Sequence, residues 1–312
     1  MRGFDPPADL DAMVATQATV TLSDGARLVV RLLGDSGDRS KPLLIALHGA
    51  PGLSSHLEAQ STFSFLTPRF RVLVYDARGS GESDLQPPFT DERWIADIDE
   101  LRQWAGEERF ILAGYSYGSF VALGYAIAHP GRIRAVIVQS AWACGFHGAL
   151  RSVAKISRST DVKTDPAQLI RFWSGSVVDN NDLETAFAAL APLYTVTKSP
   201  AAKLSGGREK FKMFKTFPHY ETHNVAFGFN TPRFDVRARL HEIKAPVLIA
   251  VGRQDLVTTV EDSEELHDGI CNSELAVFEN SGHNAQSEEP DAFRAKVWDF
   301  LTQTVSRADS RL

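Results

Sequence analysis

The chain has 312 residues, 43% of them hydrophobic and 23% charged, a balance typical of a soluble globular protein and not of a disordered one. A formal net charge of -6 argues against a general binder of nucleic acid or anionic membrane, since either partner needs a positive footprint; a small-molecule substrate is expected instead. The two cysteines, Cys144 and Cys271, are too few and too distant in sequence for a disulfide scaffold or a zinc site, and are expected to be small buried hydrophobes.

Asp5, Asp9 and Asp11 interrupt the amino terminus, so no secretory signal is expected, and no apolar run reaches transmembrane length. A cytoplasmic protein is expected. From Ala18 to Gly34, alternating apolar residues broken by Ser23-Asp24-Gly25 predict two antiparallel strands joined by a tight turn. Pro42 to Leu47 is a continuous apolar run, as in a strand covered on both faces, and it ends in His48-Gly49-Ala50-Pro51-Gly52. A helical segment to about Leu66 precedes a second buried strand, Arg71 to Tyr75, and the polar loop Asp76-Ala77-Arg78-Gly79-Ser80-Gly81-Glu82-Ser83. Ile95, Ile98, Leu101 and Trp104 then repeat at helical spacing.

The next apolar run, from Arg109, breaks into Gly114-Tyr115-Ser116-Tyr117-Gly118-Ser119 and leads into a helix carrying Val121, Ala122, Tyr125 and Ala126. One more strand spans Ile133 to Val138. Strands alternating with helices imply an α/β fold with a mostly parallel central sheet flanked by helices, its chemistry at the carboxyl ends of the strands. Residues 142–235 lose this rhythm, holding helix-like pieces such as Leu183 to Leu190 and the break Ser205-Gly206-Gly207; they are read as an inserted helical cap on a core of residues 1–141 and 236–312. Alternation resumes with Pro246 to Val251, Gly252-Arg253-Gln254-Asp255, a helix to about His267, a strand Glu274 to Phe278, and Ser281-Gly282-His283. A last amphipathic helix uses Phe293, Val297, Phe300, Leu301 and Val305. The terminal Ser310-Arg311-Leu312 is one conservative change from the peroxisomal Ser-Lys-Leu address, which has meaning only in a eukaryote.

Gly-x-Ser-x-Gly between a strand and a helix forces its serine into a strained turn and lifts the hydroxyl above the sheet. A serine hydroxyl attacks only when a base removes its proton, and the base needs an acid to hold its tautomer. Asp255 and His283 each follow a later strand and supply those groups, giving Ser116, Asp255 and His283 as the expected catalytic set. An oxyanion also needs backbone donors: Tyr117 N–H, directly after the serine, and Ala50 N–H, since Pro51 cannot donate.

These blocks together resemble the α/β-hydrolase superfamily, and within it the proline iminopeptidase family of serine hydrolases. The resemblance implies a metal-free, cofactor-free serine hydrolase with Ser116, Asp255 and His283 as its triad. The chain departs from that family in two places. Ala50 stands where a second glycine is usual, and there is no Trp-Glu pair in the cap, where Glu184, Glu209 and Glu221 are the glutamates available to hold a substrate amine. An esterase, lactonase or amidase is therefore expected ahead of an aminopeptidase, an acyltransferase or a slow-turnover ligand receptor. The aromatic run from Phe211 through Phe217, Tyr220, Phe227, Phe229 and Phe234 is expected to line the site above Ser116, with Phe214, Phe227 and Trp142 as substrate contacts.

Other signals carry less. His219 and His223 are four apart, but the intervening glutamate fits neither metalloprotease spacing. Gly79-Ser80-Gly81 lacks the third glycine of a dinucleotide fingerprint and reads as a tight turn. Asp76 is expected to stabilise its own loop, His48 to brace the oxyanion loop, and the basic residues between Lys198 and Lys215 to form the wet face of a helix.

Overall fold

The computed structural model describes residues 14–34, 37–159, 165–196 and 218–309. Eight strands form one sheet: β1 (Val14–Thr21), β2 (Arg27–Leu33), β3 (Leu43–Leu47), β4 (Arg71–Tyr75), β5 (Phe110–Tyr115), β6 (Ile133–Gln139), β7 (Val247–Gly252) and β8 (Ser273–Phe278). Their spatial order is β1-β2-β4-β3-β5-β6-β7-β8. The first two strands pair antiparallel around a turn in which Leu22 N–H donates to Ala26 C=O, and β2 pairs antiparallel with β4. From β4 onward all pairings are parallel, as the alternation of strands and helices predicts.

The unbroken apolar runs follow from the period of two along a strand combined with cover on both faces. Leu43, Ile45 and Leu47 of β3 enter one core layer and Leu44 and Ala46 the other; in β5, Phe110 and Leu112 part from Ile111 and Ala113 in the same way. One layer is closed by α1 (His56–Phe63) and the carboxyl-terminal helix, through Ala59, Phe63, Phe293, Val297 and Leu301. The other is closed by α2 (Asp91–Trp104), α3 (Tyr117–Ala128) and a helix over Val260–Gly269, through Trp94, Ile98, Leu101, Leu123 and Leu266. Each fully buried aliphatic side chain contributes about 1.5–3 kcal/mol, so this two-sided burial fixes the strand ends on which the site stands.

Between β6 and β7 the sheet rhythm stops. Three helices come first, α4 (Gly145–Ser157), α5 (Pro166–Trp173) and α6 (Asn180–Leu190). After residues 197–217, which lie outside the described set, come α7 (Tyr220–Val225) and a π-helical turn, Ala226–Asn230. Among the described residues no helix is long and apolar enough to cross a membrane.

Candidate active site

Ser116 sits between β5 and α3 with φ 51° and ψ -120°, a left-handed conformation that a non-glycine residue adopts only where its surroundings enforce it. Its N–H donates to Gln139 C=O on β6 at 2.8 Å. The flanking glycines are dictated by close approach. A Cβ on Gly114 would lie 2.5 Å from Gly118 C=O, and one on Gly118 would lie 2.5 Å from His48 C=O. The spacing of the motif thus reflects a backbone packed against itself and against the end of β3.

Asp255 follows β7 and His283 follows β8, neighbouring strands, so the two loops meet over the same edge. His283 Nδ1 lies 2.8 Å from Asp255 Oδ2, with both side chains fully buried. Asp255 Oδ1 also accepts from Val257 N–H (2.8 Å) and Thr258 N–H (2.9 Å), and Oδ2 from Thr258 Oγ1 (2.6 Å). Burial alone would raise the Asp255 pKa; the charge and hydrogen bond of His283 and the Thr258 donors outweigh it and hold the carboxyl below its usual value. With Nδ1–H committed to the carboxylate, Nε2 of His283 carries the lone pair, and this buried atom has no hydrogen-bond partner. The imidazole packs against Tyr115, the residue before Ser116, with ring centroids 5.4 Å apart, and edge-on against Tyr194 at 4.9 Å.

The loop after β3 is held from both sides. Ala77 N–H donates to His48 Nε2 (3.0 Å), so the ring hydrogen is on Nδ1 and donates to Gly49 C=O (3.0 Å). Burial lowers the His48 pKa, which favours this neutral tautomer. Gly49 C=O and Ala50 N–H belong to one trans peptide plane and point in opposite directions, so holding the carbonyl fixes the donor. On the other side Glu58 Oε2 accepts from Gly49 N–H (2.7 Å) and Ser54 Oγ (2.6 Å). Tyr117 is the first residue of α3, where the backbone N–H has no acceptor within the helix. Asp76 is engaged elsewhere: its oxygens accept from His56 N–H (2.7 Å), His56 Nδ1 (2.9 Å) and Glu82 N–H (3.1 Å), which secures the loop after β4.

Residues 42–290 match the family described as alpha/beta hydrolase fold. The chain belongs to that family. The proline iminopeptidase PfmaB of Pestalotiopsis fici is 28% identical over 283 residues, covering 89% of this chain and 97% of that protein. A proline iminopeptidase of Saccharolobus solfataricus is 29% identical, covering 84% and 86%. Among solved structures, a hydrolase from Pseudomonas aeruginosa PA01 superposes with a TM-score of 0.67 at 26% identity, covering 92% of this chain and 98% of that one. The chain is thus an α/β-fold serine hydrolase similar to proline iminopeptidases.

In this hydrolase, Ser116, Ala50, Tyr117, Trp142 and Phe227 line one cavity, joined by Thr258, which bonds the acid loop. Phe214 lies outside the described residues, as do Phe211, Phe217, Glu209, Ser205-Gly206-Gly207, the basic residues from Lys198 to Lys215 and Ser310-Arg311-Leu312. Phe229 corrects the expected lining. It is 46% exposed and stacks under Arg233, because two residues of a helical turn point to nearly opposite sides and Phe227 already takes the inner one. Cys271 is exposed in the loop before β8, against the expectation of burial, whereas Cys144 is buried. Glu221 is exposed, and His223 is buried between Phe172 and Phe227 with Nε2 on Phe172 C=O at 3.0 Å. Burial lowers its pKa to about 4.

Three contributors to the site carry no obvious mark in the sequence. Ser55-His56-Leu57-Glu58 reads as a helix capping box, yet Oε2 of the carboxylate reaches back to Gly49 N–H in the loop after β3. Tyr194 C=O accepts from His283 N–H at 2.8 Å, tying the histidine loop to the helical segment. Trp173, at the end of α5, lines the cavity from a stretch where periodicity gives only a buried face.

Proposed function

We propose that this hydrolase cleaves an ester, lactone or amide of a small, largely apolar molecule through an acyl-enzyme on Ser116, with residues 142–235 as a cap and the cytoplasm as its compartment. The observation that carries this reading is the orientation of His283: Nδ1 is bound to Asp255 and Nε2, without a partner, is free to take a proton. Ser116 Oγ attacks the substrate carbonyl and passes its proton to Nε2, while Asp255 stabilises the imidazolium. The oxyanion falls to the N–H groups of Tyr117 and Ala50. Collapse of the intermediate expels the leaving group, which takes the proton back from His283; water then attacks the ester on Ser116 by the same route and releases the acid. The aromatic lining of Trp142 and Phe227 supports an apolar substrate.

A screen of aryl esters, lactones and amino-acid arylamides, with Ser116→Ala as blank, tests the proposal. Turnover of at least one class that falls at least about 10⁴-fold in the variant supports it. Equal rates in both proteins overturn it. The names of the two relatives favour a second reading, release of amino-terminal residues, and Glu58 on the cavity wall offers a carboxylate for a substrate amine. A preference for proline arylamide over matched aryl ester would select that reading.

A further inference from the structure

Three buried tryptophans of this chain differ in what their indole nitrogens do. Trp94 Nε1–H donates to Arg78 C=O and Trp142 Nε1–H to Val257 C=O, each at 3.1 Å. Trp173, 8% exposed, has an Nε1–H without an acceptor. A buried donor left unpaired carries the full penalty of its lost hydration, and such a group in a native structure calls for a specific explanation, of which a functional role is one. The position of Trp173 supplies the use. The residue lines the cavity that holds Ser116, wedged edge-on against Phe227 (centroids 5.5 Å apart) and tilted on Trp142 (5.9 Å). None of the rings around it, Phe227, Trp142 and Phe172 (edge-on, 5.6 Å), carries a lone pair for the indole hydrogen: a phenyl ring offers only its weakly accepting π face, and Trp142 carries only a donor, already bonded.

We infer that Trp173 Nε1–H is a specificity determinant that receives a hydrogen-bond acceptor of the substrate, remote from the scissile carbonyl, so that the preferred substrate is apolar but carries one keto, ether or hydroxyl oxygen. The carboxylate of Glu58 on the same cavity disfavours an anionic group in that role. The inference rests on the reading of this cavity as the substrate site of Ser116. An acceptor that pairs with Trp173 removes a standing penalty; an alkyl chain of the same length leaves it in place.

The test uses matched 4-nitrophenyl esters, a straight alkanoate and the series in which an ether oxygen replaces one methylene at successive positions. Their binding to Ser116→Ala protein is measured by calorimetry and their turnover by the active enzyme. One oxa-ester is expected to bind about tenfold more tightly than its alkyl counterpart, with Trp173→Phe collapsing that ratio to about one. Absence of an oxa preference at every position, or a ratio unchanged by Trp173→Phe, overturns the inference. Because binding is read on the Ser116→Ala protein, an oxa preference there without turnover of these esters by the active enzyme would count against ester cleavage at Ser116 while still showing Trp173 as the donor that selects the bound molecule. Thermal unfolding of each variant, compared with its parent, confirms that the ratio is read on folded protein.

Discussion

The two walls of the cavity are built on different principles. On the sheet side almost every polar group is committed to a partner: both nitrogens of His48, both edges of the Gly49 backbone, and an Asp255 that takes three donors besides His283. On the helical side the contacts are ring against ring, among Trp142, Phe172, Trp173 and Phe227, and an indole donor is left over. Directional bonds tolerate little displacement, so the sheet wall fixes where a reacting atom must stand. Ring packing is weakly directional, so the helical wall can change shape without disturbing that geometry. Chemistry and selection are thereby separable, and substitutions can show how far.

The largest effect is expected where a directional bond holds the tautomer of His283. Asp255→Asn keeps an oxygen able to accept from Val257 and Thr258 N–H, so folding survives, but its amide cannot accept the Nδ1 hydrogen as the carboxylate does. A fall in kcat of about 10⁴-fold with the unfolding midpoint nearly unchanged is expected from steady-state kinetics and thermal melts. A fall of tenfold or less would place the acid elsewhere on the sheet wall.

A smaller and sharper comparison uses the two indoles. Trp142→Phe and Trp173→Phe remove the same atoms from neighbouring buried rings, so the loss of ring volume largely cancels between them. Trp142→Phe also breaks a made hydrogen bond to Val257 C=O, which keeps only Ser152 Oγ as donor, whereas Trp173→Phe removes a donor that had no partner. Urea unfolding should find Trp142→Phe the less stable of the two by about 1–3 kcal/mol. Equal losses would mean that the helical wall is as strictly bonded as the sheet wall, and the contrast would fail.

The same contrast explains what the amino-acid sequence discloses. Strands β3, β5, β6 and β7 are legible as apolar runs because both of their faces are covered, and the serine, acid and histidine loops are legible because each begins where such a run ends. Glu58 is hidden because its local context, Ser55 three residues earlier, is that of an ordinary helix start, while its Oε2 accepts from Gly49 N–H and Ser54 Oγ in the loop before it. Trp173 and Phe227 are legible only as apolar: which ring faces the cavity depends on how α5 and the π-helical turn pack, and no short-range pattern encodes that. Phe229 shows the cost of reading aromatic density without helical phase.

A pH-dependent effect is expected on the line where the walls touch. Tyr117, whose N–H belongs to the sheet wall, donates its hydroxyl hydrogen to Asp91 Oδ1 at 2.9 Å and lies 3.4 Å from Ala226 C=O of the helical wall. Burial raises the Asp91 pKa from 3.8 to about 7, against the opposing hydrogen bond from Tyr117. Between those two values the folded protein holds a proton that the unfolded chain has released, so stability declines as pH rises through this window and levels off above about pH 7. Asp91→Asn keeps an acceptor for Tyr117 and has no proton to lose. Its stability relative to the parent should therefore improve steadily from about pH 4 to about pH 7 and stay constant beyond, as urea midpoints at several pH values would show. Parallel curves would mean that the Asp91 carboxyl titrates as a solvated one, and that the contact between the walls is open to water.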